Sequence, residues 1–133
     1  MNRPIPYFEG TIHQSLEITA VEVSPDRVVL EMPVGPKVHQ ALGLLHGGAS
    51  ATIAESAASI GAYLNCNEGQ TSMGTDLNIS HLKAKTSGRV RATATPVRMG
   101  CSMHVWAIDI TDEDDQAVAV ARCTLAIRPQ PSR

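Results

Sequence analysis

The chain has 133 residues and a formal net charge of −2, which sets the expectation of one domain with a core large enough to stand without disulfides or metal. Hydrophobic residues make up 43% and aromatics only 3%, so the core must be built from Ala, Val, Ile, Leu and Met, and the charge balance points to neither nucleic acid nor an anionic membrane surface. Cys66, Cys101 and Cys123 form no CxxC pair and no apolar run opens residues 1–10, which argues for a reducing, cytoplasmic setting and against a disulfide framework, a signal peptide or a membrane span.

Pro and Gly are scattered through the chain, without a repeat or a linker, and only residues 1–9 and 129–133 look loose. Residues 12–23 read as a strand, with Ile12, Leu16 and Ile18 two or four apart. Ser24, Pro25 and Asp26 signal a turn. Val28, Leu30, Met32 and Val34 then alternate with other residues in a second strand that Gly35 and Pro36 end.

Residues 49–64 differ. Alanine dominates and small or apolar residues occur all the way round, which predicts a buried helix. Residues 65–70 form its exit. A period of two then returns at Met73, Thr75, Leu77 and Ile79, again over residues 89–98, and at His104, Trp106, Ile108 and Ile110. Residues 112–115 are an acidic turn and residues 116–127 a last strand. Two strands, one helix and about four strands predict an α+β protein in which an antiparallel sheet wraps one helix. A lone curved sheet leaves an edge open and part of the helix uncovered, so at least a dimer joined edge to edge is expected.

The chemistry concentrates between Gln40 and Ser59. Glu55 is the only charged residue between Lys37 and Glu68. Two readings fit it: a solvent-facing or ion-paired carboxylate, or a working one whose pKa partial burial raises toward that of a general base. Ser59, four residues on, shares its helix face and can bond either the carboxylate or a helix carbonyl. Gly47 and Gly48 precede the helix, where N–H groups lack partners and the dipole is positive. They fit a plain turn, or a close backbone approach to a polarised carbonyl. Gln40 and His46 lie just upstream.

The pattern His46, Gly47, Gly48, six residues, Glu55 resembles the hotdog-fold acyl-CoA thioesterases, nearest the phenylacetic-acid-pathway and 4-hydroxybenzoyl-CoA type. The resemblance includes Gln40 and Ser59, the run Leu77, Asn78, Ile79, Ser80, His81, Leu82, and the closing strand from Ala119 to Ala126, and covers roughly residues 9–129. It implies a single hotdog domain, a curved antiparallel sheet around one long central helix, acting on an acyl-CoA substrate without a cofactor. It implies that Gly47 N–H holds the thioester carbonyl with Gln40 or His46 assisting. Glu55, from the partner's side of a dimer-interface site, activates water or attacks the carbonyl, and Ser59 positions it. A homodimer, and a homotetramer of two dimers, is the implied assembly. Gly48, Ser80 and His81 fall beside the substrate in this resemblance; His81 also fits a plain sheet histidine. Lys83, Lys85, Arg89, Arg91 and Arg98 lie in a stretch without acids from Asp76 to Asp109, and form either a landing surface for coenzyme A phosphates or a solvated strand face. Where the family commonly carries Gly-Arg, this chain has Gly100-Cys101.

No metal-binding spacing, GxSxG elbow or Walker loop is present. A hydratase acting on the acyl chain fits the Gly-Gly and nine-residue His-to-Glu spacing less well. A non-catalytic acyl-CoA binding module would need an attached output domain.

Overall fold

The computed structural model describes residues 3–5 and 8–132. The expected first strand begins late: Ile12–Ser15 is a helical turn, α1, and β1 covers only Thr19–Ser24. The four-residue spacing of Ile12 and Leu16 suits a helical turn as well as a strand. Thr11 decides between them by capping the turn, its hydroxyl accepting from His13 N–H. Glu17, at φ 58°, then redirects the chain into β1.

β1 pairs antiparallel with β2 (Arg27–Pro33), whose Val28, Leu30 and Met32 are fully buried. A short 3-10 turn at Pro36–Val38 leads to α2 (Gly47–Leu64). β3 (Gln70–His81), β4 (Arg89–Met99), β5 (Met103–Thr111) and β6 (Ala117–Pro129) follow. The six strands form one antiparallel sheet in the order β1-β2-β4-β5-β6-β3, and α2 packs on its inner face.

The core lies between them. Ile53, Ala54, Ala57, Ala58 and Ala62 of α2 meet Val90, Ala92, Ala94, Trp106, Ile108, Ile110 and Leu125 of the sheet. Gly61 sets the closest approach: a Cβ there would lie 2.4 Å from the Trp106 ring. The sheet covers one side of α2, and Glu55 is exposed in the single chain.

β3 occupies an edge, bonded to β6 alone, and its other side is open among the described residues. The register between them shifts at Gly74 and Asp76, where Thr75 is the extra residue of a bulge.

Candidate functional site

His46 is the N-cap of α2, and its ring Nδ1 accepts from Gly48 N–H at 2.7 Å. The N–H groups of Ala49 and Ser50 bond back to the His46 carbonyl. That leaves Gly47 N–H without an acceptor among the described residues, at the positive end of an eighteen-residue helix. The His81 ring of β3 lies against it: a Cβ on residue 47 would fall 2.7 Å from Nε2. Gln40 folds its own loop, its side-chain oxygen accepting from the N–H groups of Leu42 and Leu44.

Glu55 sits two turns along the same helix. Its carboxylate lies over Gly74 of β3, where a Cβ would be 3.0 Å from Cδ and 3.2 Å from both oxygens. Gly74 is a site residue that the sequence reading missed. The available signal was a glycine inside a strand pattern, which marks a bulge or a close approach. Cys123 lies buried nearby, and burial, with the charges of Glu55 and Asp76, pushes its thiol pKa up to about 12. It stays protonated and unreactive at neutral pH.

Glu55 and Ser59 both line a cleft of about 930 Å³ between α2, β3 and the N-terminal segment. The segment contributes Phe8, Ile12 and His13, and α2 adds Ser56, Ile60 and Tyr63. The sequence reading missed this wall because it placed Ile12 and His13 in a strand.

The structure brings Gly47, Gly48, His46 and His81 together, and Glu55, Ser59 and Gly74 together. It does not unite the two groups in one chain. Gly47 and Glu55 are eight residues apart on a helix, a rise of about 12 Å. Ser80, next to His81, pairs with Val120 and faces the opposite side of the sheet.

The basic stretch meets acids from elsewhere in the chain. Lys83 Nζ lies 2.6 Å from Asp112 and Lys85 Nζ 2.6 Å from Glu113. Arg89 and Arg91 pair with Glu31 at 3.4 and 2.8 Å. The Lys83 bond and the N–H groups of Gln116 and Asp114 hold the Asp112 carboxyl down at about 2. The Lys85 bond and Arg89 N–H do the same for Glu113, also to about 2. Arg98 has no ion pair among the described residues.

No described helix is long and apolar enough to cross a membrane. The family model of the thioesterase superfamily matches residues 42–119, from the loop before α2 into β6. The chain is 39% identical over 117 residues to a 1,4-dihydroxy-2-naphthoyl-CoA hydrolase of Listeria monocytogenes, covering 88% of this chain and 95% of that one. It is 37% identical over 118 residues to a proofreading thioesterase of Cronobacter sakazakii, covering 89% and 86%. The crystal structure of a Haemophilus influenzae thioesterase superimposes with a TM-score of 0.89 at 34% identity, covering 94% of this chain and 87% of that one. One helix seated on a six-stranded antiparallel sheet, a free N–H at its start and a carboxylate on its open face are carried by a chain that belongs to the thioesterase superfamily, with the hotdog fold.

Proposed function

We propose that the protein hydrolyses the thioester of an acyl-CoA to the free acid and coenzyme A, with Glu55 as the working carboxylate. The observation that carries this reading is the seat of Glu55 over Gly74, on the wall of a cleft of about 930 Å³. The superfamily membership supports thioester hydrolysis in particular.

The chemistry needs a donor for the carbonyl oxygen and a carboxylate beside the carbonyl carbon. Gly47 N–H is the donor and Glu55 the carboxylate, about 12 Å apart within one chain. Two copies joined along their open β3 edges would bring Gly47 of one toward Glu55 of the other. A homodimer is therefore the smallest active assembly in this reading, and a tetramer of two dimers is compatible with it. Glu55 takes a proton from water, and the water oxygen attacks the carbonyl carbon. Gly47 N–H holds the oxyanion, with Gln40 and His46 supporting it. The C–S bond then breaks, and the coenzyme A thiolate recovers the proton from Glu55. Direct attack by Glu55, through a mixed anhydride that water opens, gives the same products. Ser59 orients the water or the carboxylate, and Gly48 and His81 border the carbonyl end. Arg98, without an acidic partner among the described residues, is the first candidate for a coenzyme A phosphate, ahead of Lys83 and Arg89. An aromatic acyl group is favoured by the naphthoyl substrate named for the Listeria relative, and medium-chain groups fit the same cleft.

Thiol release from a panel of aromatic and aliphatic acyl-CoA esters tests the reading. Wild type should release coenzyme A, and Glu55→Ala should lose roughly 10³-fold or more in kcat. Equal rates from both proteins would remove Glu55 from the mechanism. In a single turnover in 18O water, label found in Glu55 identifies the anhydride route, with water opening the anhydride at the Glu55 carboxyl.

A further inference from the structure

The two long walls of the cleft beside Glu55 are α2 and the first half of β3. At one end the Arg3 guanidinium bridges them. Its Nη1 donates to the Tyr63 carbonyl, in the last turn of α2, at 3.1 Å. Its Nη2 donates to the Gln70 carbonyl, at the start of β3, at 3.0 Å. The same group lies over the Tyr63 ring, 4.0 Å from the centroid. A planar fork suits two carbonyls on separate elements, and a cation is favoured at the negative end of a helix dipole.

The bridge stands at a definable distance from the chemistry. Tyr63 follows Glu55 by eight residues on α2, a rise of about 12 Å. Gln70 precedes Gly74, which faces Glu55, by four residues on β3, a rise of about 13 Å. Measured along either wall, the room between carboxylate and bridge has nearly the same length.

Arg3 holds the third wall in place. Pro4 and Ile5 follow it directly and line the cleft, as do Phe8, Ile12 and His13. The segment is pinned a second time where His13 Nε2 lies 2.8 Å from Ser56 Oγ on α2. The Phe8 ring stacks on His13 there, at 4.4 Å between centroids and 13° between planes. The two pins, at Ser56 and Tyr63, are seven residues apart on one helix, about 10 Å. On its other side the segment borders a second hollow of about 720 Å³, lined again by Ile5 and Phe8 and by Ile18, Thr19 and Ala20. Ile5 and Phe8 are therefore a partition between two hollows, and the Arg3 fork fixes its leading end.

We propose that Arg3 is a specificity-determining residue that sets the longest acyl group the cleft accepts, by holding Pro4 and Ile5 across its far end. The inference rests on the reading that this cleft takes the acyl group. An acyl chain that reaches past the bridge must displace Ile5 and break both carbonyl bonds. Without the fork the partition swings aside, and the same chain gains the second hollow.

The test measures kcat/KM for straight-chain acyl-CoA esters from butyryl to palmitoyl in wild type, Arg3→Ala and Arg3→Lys. Wild type should peak at an intermediate length and fall by roughly tenfold or more toward palmitoyl. Arg3→Ala should raise the ratio of palmitoyl to peak activity by roughly tenfold. A ratio within one protein cancels any loss of folded enzyme. Arg3→Lys keeps the charge but not the fork, and its ratio should lie between the other two. An unchanged length profile in Arg3→Ala, an equal change at every length, a steeper fall with length, or a wild type without a length limit overturns the proposal. Binding of inert S-alkyl-CoA thioethers of the same lengths, by calorimetry, separates it from the thioesterase reading. An Arg3-dependent length limit in binding without thiol release from any ester sinks hydrolysis and leaves the specificity standing. Thiol release with the same length profile in wild type and Arg3→Ala does the reverse.

Discussion

Gly74 acts through the side chain it lacks. A Cβ there would meet the Glu55 carboxylate at 3.0 to 3.2 Å, and the displaced atoms are the far end of an exposed, flexible side chain. Gly74→Ala should therefore shift the carboxylate without unfolding the protein. We expect kcat to fall by about 10- to 100-fold, the usual cost of a misplaced reacting group, with the melting temperature nearly unchanged. Full activity in that variant would mean that Glu55 works from another position. Glu55 itself was legible in the sequence because it is the lone charge in a long uncharged stretch. Gly74 was not, because its meaning depends on Glu55, which faces it from 19 positions earlier in the chain. The same limit hid His13, whose partner Ser56 is 43 positions away.

Among the elements, the β5–β6 turn is held by charge. Asp112 and Glu113 have pKa values near 2, below their ordinary 3.8 and 4.5. Groups lowered on folding stabilise the native state above the unfolded pKa and stop doing so as pH falls through the folded one. The contribution is thus whole at pH 6 and fades between about 4 and 2. Melting curves for wild type and Asp112→Asn should differ at pH 6 and converge toward pH 2. The acidic turn was readable from residues 112–115, but its partners were not: Lys83 and Lys85 looked like open cations because the acids that hold them lie 29 and 28 positions on. Another element-level contact is tighter. Gly61→Ala places a methyl group against Trp106, whose ring a Cβ would approach to 2.4 Å. That overpacking should cost about 1–3 kcal/mol, read as a lower urea midpoint at constant slope.

For the whole molecule, the sequence carried the element order well. Strand, strand, helix and four strands follow from periods of two and from one alanine-rich segment. It failed at residues 12–15, where the four-residue spacing of Ile12 and Leu16 fits either period and a threonine cap chose the helical turn. It also carried the open sheet edge and the uncovered helix face, from which a dimer was expected. Co-expression of Glu55→Ala with Gly47→Val tests that assembly. Each variant alone should be inactive. If a site takes Gly47 from one copy and Glu55 from the other, a mixed dimer keeps one intact site, and random pairing restores about a quarter of wild-type activity. Sites confined to one chain would restore none.

The strand order has a consequence for how the protein is made. β3, which carries Gly74 and His81, bonds within the sheet only to β6, the last strand of the chain. A ribosome delivers α2 and the whole of β3 long before residues 117–129 follow. During that interval the nascent β3 has no neighbour in its own sheet, with both edges bare and open to pairing with another chain. The site's residues are thus among the earlier ones synthesised, yet they reach their places only when the closing strand arrives.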